Sequence, residues 1–336
     1  MTSNYFMDDP ILGSIDLDDE FITDAWILEK YVGNALFTFG DNTKGALEDI
    51  TVVAKSSPIQ IGTLTDWKQV SAGYQFSTQV TLDGKLYSCG LNTSGQLGNN
   101  TLISYSSPIQ VGALTTWKQV SAGYDHMLAI KTNNTLWTWG LGTSGQLCNG
   151  FAVTYSSPVQ VGTLTNWKQV SAGSTHILAI KTDNTLWACG LGTSGQLGNT
   201  AAASCSSPVQ VGILTNWKQV SAGLTLSAAI KNDGTLWTWG YNDIGQLGNN
   251  TILSYSSPIQ VGASTNWKQV SAGTTFITAI KTDGTLWAWG LGTSGQLGNI
   301  AAASYSSPIQ VGALTNWKQV NSGSTHSIIV TFTNDI

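Results

Sequence analysis

Arginine is absent from this 336-residue chain, and all 14 basic residues are lysine. The guanidinium fork is the usual ligand for phosphate and for guanine edges, so its absence argues against nucleic-acid readout. Charge of either sign is also scarce. It makes up 10% of the residues, against about 25% in an average soluble domain, which leaves Ser, Thr, Asn, Gln and Gly to make the surface polar. No window approaches the roughly 18 consecutive apolar residues of a spanning helix, so no membrane insertion is expected. The first residues lack a basic stretch followed by an apolar one, so cytoplasmic synthesis without a signal peptide is the expectation.

What charge exists is unevenly placed. Residues 1–30 hold eight acids (Asp8, Asp9, Asp16, Asp18, Asp19, Glu20, Asp24, Glu29) and a single Lys30, a net −7, while the remainder is close to neutral at +2. Residues 1–33 therefore read as an acidic arm. Asp16 to Val32 reads as a short capped helix, and Phe21, Trp26 and Tyr31 are the aromatic residues available to anchor the arm to a partner.

From Trp67 the chain is periodic. Trp-Lys-Gln-Val begins at Trp67, Trp117, Trp167, Trp217, Trp267 and Trp317, always 50 residues apart, without insertion or deletion. A fixed period of this length marks stacked supersecondary units, each too small to bury its apolar face alone. One unit reads as four short strands: from Pro258, from Trp267 to Val270, from Phe276 to Thr282, and from Thr285 to Gly290. Asp283-Gly284 reads as a two-residue hairpin turn with positive φ at both positions. Four short strands per 50 residues with no helical stretch predict an all-β fold, a β-propeller of four-stranded antiparallel blades over residues 34–336.

Pro-x-Gln-Val-Gly, Val-Ser-Ala-Gly, Asp-Gly-Thr-Leu-Trp-x-Trp-Gly and Gly-Gln-Leu-Gly recur in that order, copy after copy. They resemble the repeat of the regulator of chromosome condensation family, and the resemblance covers about residues 34–334. It implies a β-propeller, seven-bladed in most members. The copies here favour six blades, closed by pairing Ala35–Gly40 with the last copy, which lacks that strand; seven would require strands from residues 15–33. The resemblance also implies guanine-nucleotide exchange or chromatin binding. This chain, however, has no insertion between Trp67 and Trp317 to form a wedge, and its tail is acidic rather than basic. The tryptophan-based ultraviolet photoreceptor of the same family depends on arginines, of which there are none.

The period also serves as an internal control on motifs. Gly140-x-Gly-x-x-Gly145 and its copies match a dinucleotide fingerprint, but that chemistry needs a helix N-terminus after the turn; no cofactor is expected. The cysteines fall at unrelated repeat positions without zinc-ligand spacing, so Cys89, Cys148, Cys189 and Cys205 read as free thiols, and no metal is expected. The only histidines, His126, His176 and His326, share a column with Phe76, Leu226 and Phe276, which reads as packing. No nucleophile stands beside a base, so no enzyme activity is expected.

Function is then sought where the period breaks. The segments at 74–79 and 99–105 differ between copies, as does Tyr241-Asn-Asp-Ile244. They give Tyr74, Tyr124, Asp125, His126, Leu224, Tyr241 and Asp243 as candidates for binding a protein partner. Low charge, near-identical blades and an acidic tether point to a non-catalytic structural or adhesive module of a larger assembly such as a phage virion. The alternative is a cytoplasmic regulatory propeller acting on a GTPase or another protein.

Overall fold

The computed structural model describes residues 35–64, 66–324 and 326–331. The acidic arm, with its expected helix and Phe21, Trp26 and Tyr31, lies outside the described residues. Among those residues the chain forms strands, turns and loops only.

The strands begin with β1 (Leu36–Gly40) and β2 (Lys55–Ile61). Blade 1 is β3 (Trp67–Ala72), β4 (Phe76–Thr81), β5 (Leu86–Gly90) and β6 (Tyr105–Gln110). Blade 2 repeats it as β7 (Trp117–Ala122), β8 (His126–Lys131), β9 (Leu136–Gly140) and β10 (Tyr155–Gln160). Blade 3 is β11 (Trp167–Ala172), β12 (His176–Lys181), β13 (Leu186–Gly190) and β14 (Cys205–Gln210). Blade 4 is β15 (Trp217–Ala222), β16 (Leu226–Lys231), β17 (Leu236–Gly240) and β18 (Tyr255–Gln260). Blade 5 is β19 (Trp267–Ala272), β20 (Phe276–Lys281), β21 (Leu286–Gly290) and β22 (Tyr305–Gln310); β23 (Trp317–Ser322) and β24 (Ser327–Thr331) follow. Each blade is one antiparallel sheet of four strands in chain order, but the strand carrying Pro258 closes the sheet of Trp217–Gly240 instead of opening that of Trp267–Gly290, as the sequence unit had it.

Packing explains the composition of each strand. The second strand of blade 2, β8, is buried at all six positions from His126 to Lys131 because both faces of the sheet meet neighbouring blades. The apolar clusters accordingly lie between blades: Leu86 and Val111 of the first meet Trp117, Met127 and Trp139 of the second. The inner strands β3, β7, β11, β15, β19 and β23 stand side by side. Their edges are satisfied by side chains rather than by another strand. Gln69 Nε2 donates to Val120 O (3.0 Å), Gln69 Oε1 accepts from Val120 N (3.0 Å), and Ser71 Oγ accepts from Ala122 N (2.9 Å). Gln119, Gln169, Gln219 and Gln269 each accept from the next inner strand in the same way.

Three further expectations change. The hairpin at Asp283-Gly284 has positive φ only at Gly284 (76°). Gly284 N donates to Lys281 O and Lys281 N to Thr285 O, so the loop is a type I turn closed by a left-handed residue. Asn134 and Asn184 take that conformation in blades 2 and 3, which Asn tolerates better than other side-chain-bearing residues. Pro258 lies within β18 rather than at its start, at the irregularity between the pairs Thr238–Ile259 and Gly240–Tyr255, on the outer edge where no ladder donor is missed.

The cysteines are the third correction. Cys148 and Cys189 form a disulfide (Cα–Cα 5.8 Å), leaving Cys89 and Cys205 free. The pair joins the loop after β9 to β13 of the next blade, a contact between two repeat columns that comparison within one column does not show.

Closure of the ring by the terminal strands is not present among the described residues. β1–β2 and β23–β24 stand as separate two-stranded sheets beside five complete blades. Gly45, Gly95, Gly145, Gly195 and Gly245 each press on a following outer strand, where an added Cβ would lie 2.5–2.9 Å from it; the next of the series, Gly295, is exposed and meets nothing within 4 Å among the described residues.

Candidate functional site

Antiparallel alternation sorts the loops onto two faces. The turns after the inner strands (73–75 and its copies) and the long loops before the outer strands (91–104 and its copies) open on one face, here called the top. The hairpins at 82–85 and the links between blades open on the other. All seven candidates belong to top-face segments or to the strand starts immediately beneath them.

Tyr74 and Tyr124 occupy equivalent turns of blades 1 and 2. Their rings stack at 4.1 Å between centroids with planes 9° apart, and Tyr74 N donates to Tyr124 O (3.2 Å). They are nonetheless 45% and 43% exposed, so the stack presents an aromatic surface to solvent. Burial and the adjoining Tyr74 push the Tyr124 hydroxyl pKa upward. Asp125 is partly buried beside them; desolvation raises its pKa, and its Oδ1 accepts from Gln96 Nε2 of blade 1 (3.2 Å). Gln75 has a left-handed backbone (φ 58°), and its Nε2 reaches Asp41 Oδ2 (3.2 Å) and Thr43 Oγ1 (3.3 Å). The stack is therefore tied to loops on both sides.

The other candidates are not part of that cluster. Leu224 is exposed at the corresponding turn of blade 4. Tyr241 and Asp243 lie on the outer loop of blade 4, where Tyr241 Oη donates to Asp243 Oδ2 (3.1 Å) and Gln246 Nε2 donates to Asp243 Oδ1 (3.3 Å). His126 is a correction: it is fully buried and does not reach the face. Its ring fills the space under Gly123, and burial pushes its pKa down to about 4. His176 is buried likewise, with Nε2 2.9 Å from Ser227 Oγ and a pKa of about 3. The packing role predicted for this column holds for both.

Exposed apolar side chains that individual sequence positions did not mark complete the face: Leu102 and Ile103 in blade 1, Phe151 in blade 2, Ile252 and Leu253 in blade 4. The only sequence signal for them is their place in the variable link. The Gly-x-Gly-x-x-Gly segments are loops between the third and outer strands, with no helix after them. Among the described residues, no group of three or more His, Cys, Asp or Glu is placed to hold a metal ion, and no helix is long and apolar enough to cross a membrane.

The architecture has close structural counterparts. Human WBSCR16 superposes with a TM-score of 0.79 at 22% identity, covering 89% of this chain and 81% of that one. Yeast RCC1 (Prp20), crystallised bound to Kap60, gives 0.77 at 20% identity over 90% of this chain and 77% of its own. Prp20p of Saccharomyces cerevisiae, whose structure was described with its binding properties to Gsp1p and histones, gives 0.77 at 20% identity, with coverages of 90% and 79%. At such identities the likeness shows the fold alone. No curated protein matches the chain. The family model for the RCC1-like domain matches residues 28–331, and the chain belongs to the RCC1-like domain family.

Proposed function

We propose that the chain is a non-catalytic protein-interaction module that docks its partner on the top face. The observation that carries this reading is the Tyr74–Tyr124 stack, a half-exposed aromatic pair whose flanking residues Gln75 and Asp125 are hydrogen-bonded to neighbouring loops. Aromatic anchors with little rotamer freedom to lose are the side chains that dominate protein interfaces. The exposed Leu102, Ile103, Ile252 and Leu253 add apolar area on the same face. Replacing both tyrosines (Tyr74→Ala with Tyr124→Ala) is expected to weaken the complex with the co-purifying partner by about 2 kcal/mol or more, roughly 30-fold in Kd. The melting temperature should barely move. An unchanged Kd would remove the stack from the interface.

Low charge, near-identical blades and the acidic segment 1–33 support a place in a larger assembly such as a virion, with Phe21, Trp26 and Tyr31 as its anchor. Recovery of the native protein with capsid or tail proteins is the expected outcome; recovery as a free cytoplasmic protein would overturn it. Family membership favours a second reading, a cytoplasmic regulator. Stimulated nucleotide release from a GTPase would put that reading first.

A further inference from the structure

The seam between blades 2 and 3 differs from the others in chemistry. In three other seams a loop glycine faces a third-strand tryptophan of the next blade: Gly98 and Trp139, Gly198 and Trp239, Gly248 and Trp289. Here the same two positions are Cys148 and Cys189, joined as a disulfide. The indole that fills those three seams is replaced by two sulfurs. A cavity of about 230 Å³ opens beside them, walled by Cys148, Asn149, Trp167, Lys181, Trp187 and Pro208. Cys148, itself only 2% exposed, belongs to that wall, whereas Cys189 is fully buried and does not. Asn149 Nδ2 is buried and has no hydrogen-bond partner among the described residues. The Lys181 ammonium lies 3.5 Å from the Trp187 ring centroid and makes no salt bridge among the described residues. The notch is thus walled by one cysteine of a disulfide and by a cation.

We propose that Cys148 is a modification site for a small thiol bearing carboxylates, which enters this notch and exchanges with the Cys148–Cys189 disulfide. The incoming thiolate attacks Cys148 Sγ and forms a new S–S bond to it. The Cys148–Cys189 bond breaks, its electron pair leaves on Cys189 Sγ, and that sulfur takes a proton from solvent. The number of disulfides is unchanged, so no oxidant is consumed. Cys189 is the leaving group because only Cys148 faces the cavity. Lys181 attracts the carboxylates of the thiol. The product opens a covalent clasp between two blades, and attack by Cys189 on the mixed disulfide recloses it. Neither remaining cysteine competes: Cys89 is buried with its pKa raised by desolvation and by Glu48, and Cys205 lies outside the wall of the notch.

The test uses the full chain purified without reductant. Thiol titration in denaturant should find two free thiols, those of Cys89 and Cys205. Native incubation with millimolar reduced glutathione, acid quench and peptide mass mapping should then place the adduct on Cys148, with Cys189 free. Four free thiols at the outset, a disulfide that exchanges only after unfolding, or an adduct confined to Cys189 or Cys205 would each overturn the proposal. Lys181→Gln should slow exchange with glutathione several-fold while leaving exchange with uncharged 2-mercaptoethanol unchanged; equal slowing of both would remove the lysine from the site. Cys189→Ser should leave Cys148 open to oxidised glutathione in the folded protein. Should that variant not fold, the mapping of the unaltered chain decides.

Discussion

Positions 41 residues apart, one in a blade's loop and one in the third strand of the next, are matched residue for residue. Where the strand supplies an indole, the loop supplies glycine, and Trp139 Nε1 and Trp239 Nε1 donate to Gln96 O and Gln196 O at 2.9 and 2.8 Å. Where the strand supplies a cysteine, the loop residue grows: Cys148 faces Cys189, and Glu48 stands at the corresponding place beside Cys89. Glu48 keeps a left-handed φ of 67°, its Oε1 accepts from Ser77 Oγ at 2.7 Å, and burial pushes its pKa up to about 8. Because the native state holds a proton that the unfolded chain releases from about 4.5 upward, Glu48 lowers stability progressively as pH rises to 8, with no further loss above. His126 and His176 act in the opposite sense. Their folded pKa values of about 4 and 3 lie below the unfolded 6.5, so their contribution is complete above 6.5 and is lost as pH falls below it. Two histidines outweigh one carboxyl below 6.5, and only Glu48 acts above it. Among these three groups the optimum therefore falls near pH 6.5. Glu48→Gln should abolish the decline between pH 6.5 and 8, which amounts to about 2 kcal/mol. Urea titrations across that range would show it, and a decline that persists in the variant would sink the assignment.

At the scale of the element, the inner strand explains why Trp-Lys-Gln-Val-Ser-Ala varies so little. Gln219 Oε1 accepts from Val270 N (3.1 Å) and its Nε2 donates to Val270 O (3.3 Å), so one side chain stands in for a neighbouring strand. Gln219→Leu leaves both backbone groups buried without partners, at a cost of about 2–4 kcal/mol. Lys268→Ala, at an exposed position of the next inner strand, should stay within about 0.5 kcal/mol. Equal urea midpoints for the two variants would count against the ladder. This role could not be read from the sequence, where Gln69 and Ser71 look like the polar half of an alternating strand. The strands and the blade type were legible, because 50-residue spacing and turn residues define them locally. The top-face site was legible in part: Tyr74 and Tyr124 stand where the copies differ, but their stacking depends on how adjacent blades meet. His126 sat in the same variable stretch, and only the depth of its strand start removes it from the surface. The cysteine pair escaped because it links two columns of the repeat.

At the scale of the molecule, each blade is stabilised by the two it touches, so stability follows position along the stack. Blade 3 has complete blades on both sides, whereas among the described residues β1–β2 and β23–β24 are two-stranded sheets, and an isolated pair of strands is marginal in water. The core follows the same gradient: a large cluster of buried residues fills the seam between blades 3 and 4, while among the described residues the cluster reaching β23 has Ile280, Leu286 and Val320 buried, with Val311, Trp317 and Ile329 partly buried against them. Trp317 is also more exposed than Trp167 and Trp217 at the same repeat position. Native-state hydrogen exchange should therefore give the greatest protection in β12, β13 and β16, and markedly less in β1, β2, β23 and β24. The disulfide adds a covalent tie only between blades 2 and 3, so reduction should lower protection there and leave the terminal strands as they were. Protection of β1 and β24 equal to that of β13 would mean that the two halves are joined in one sheet in solution, and that the ring is closed after all.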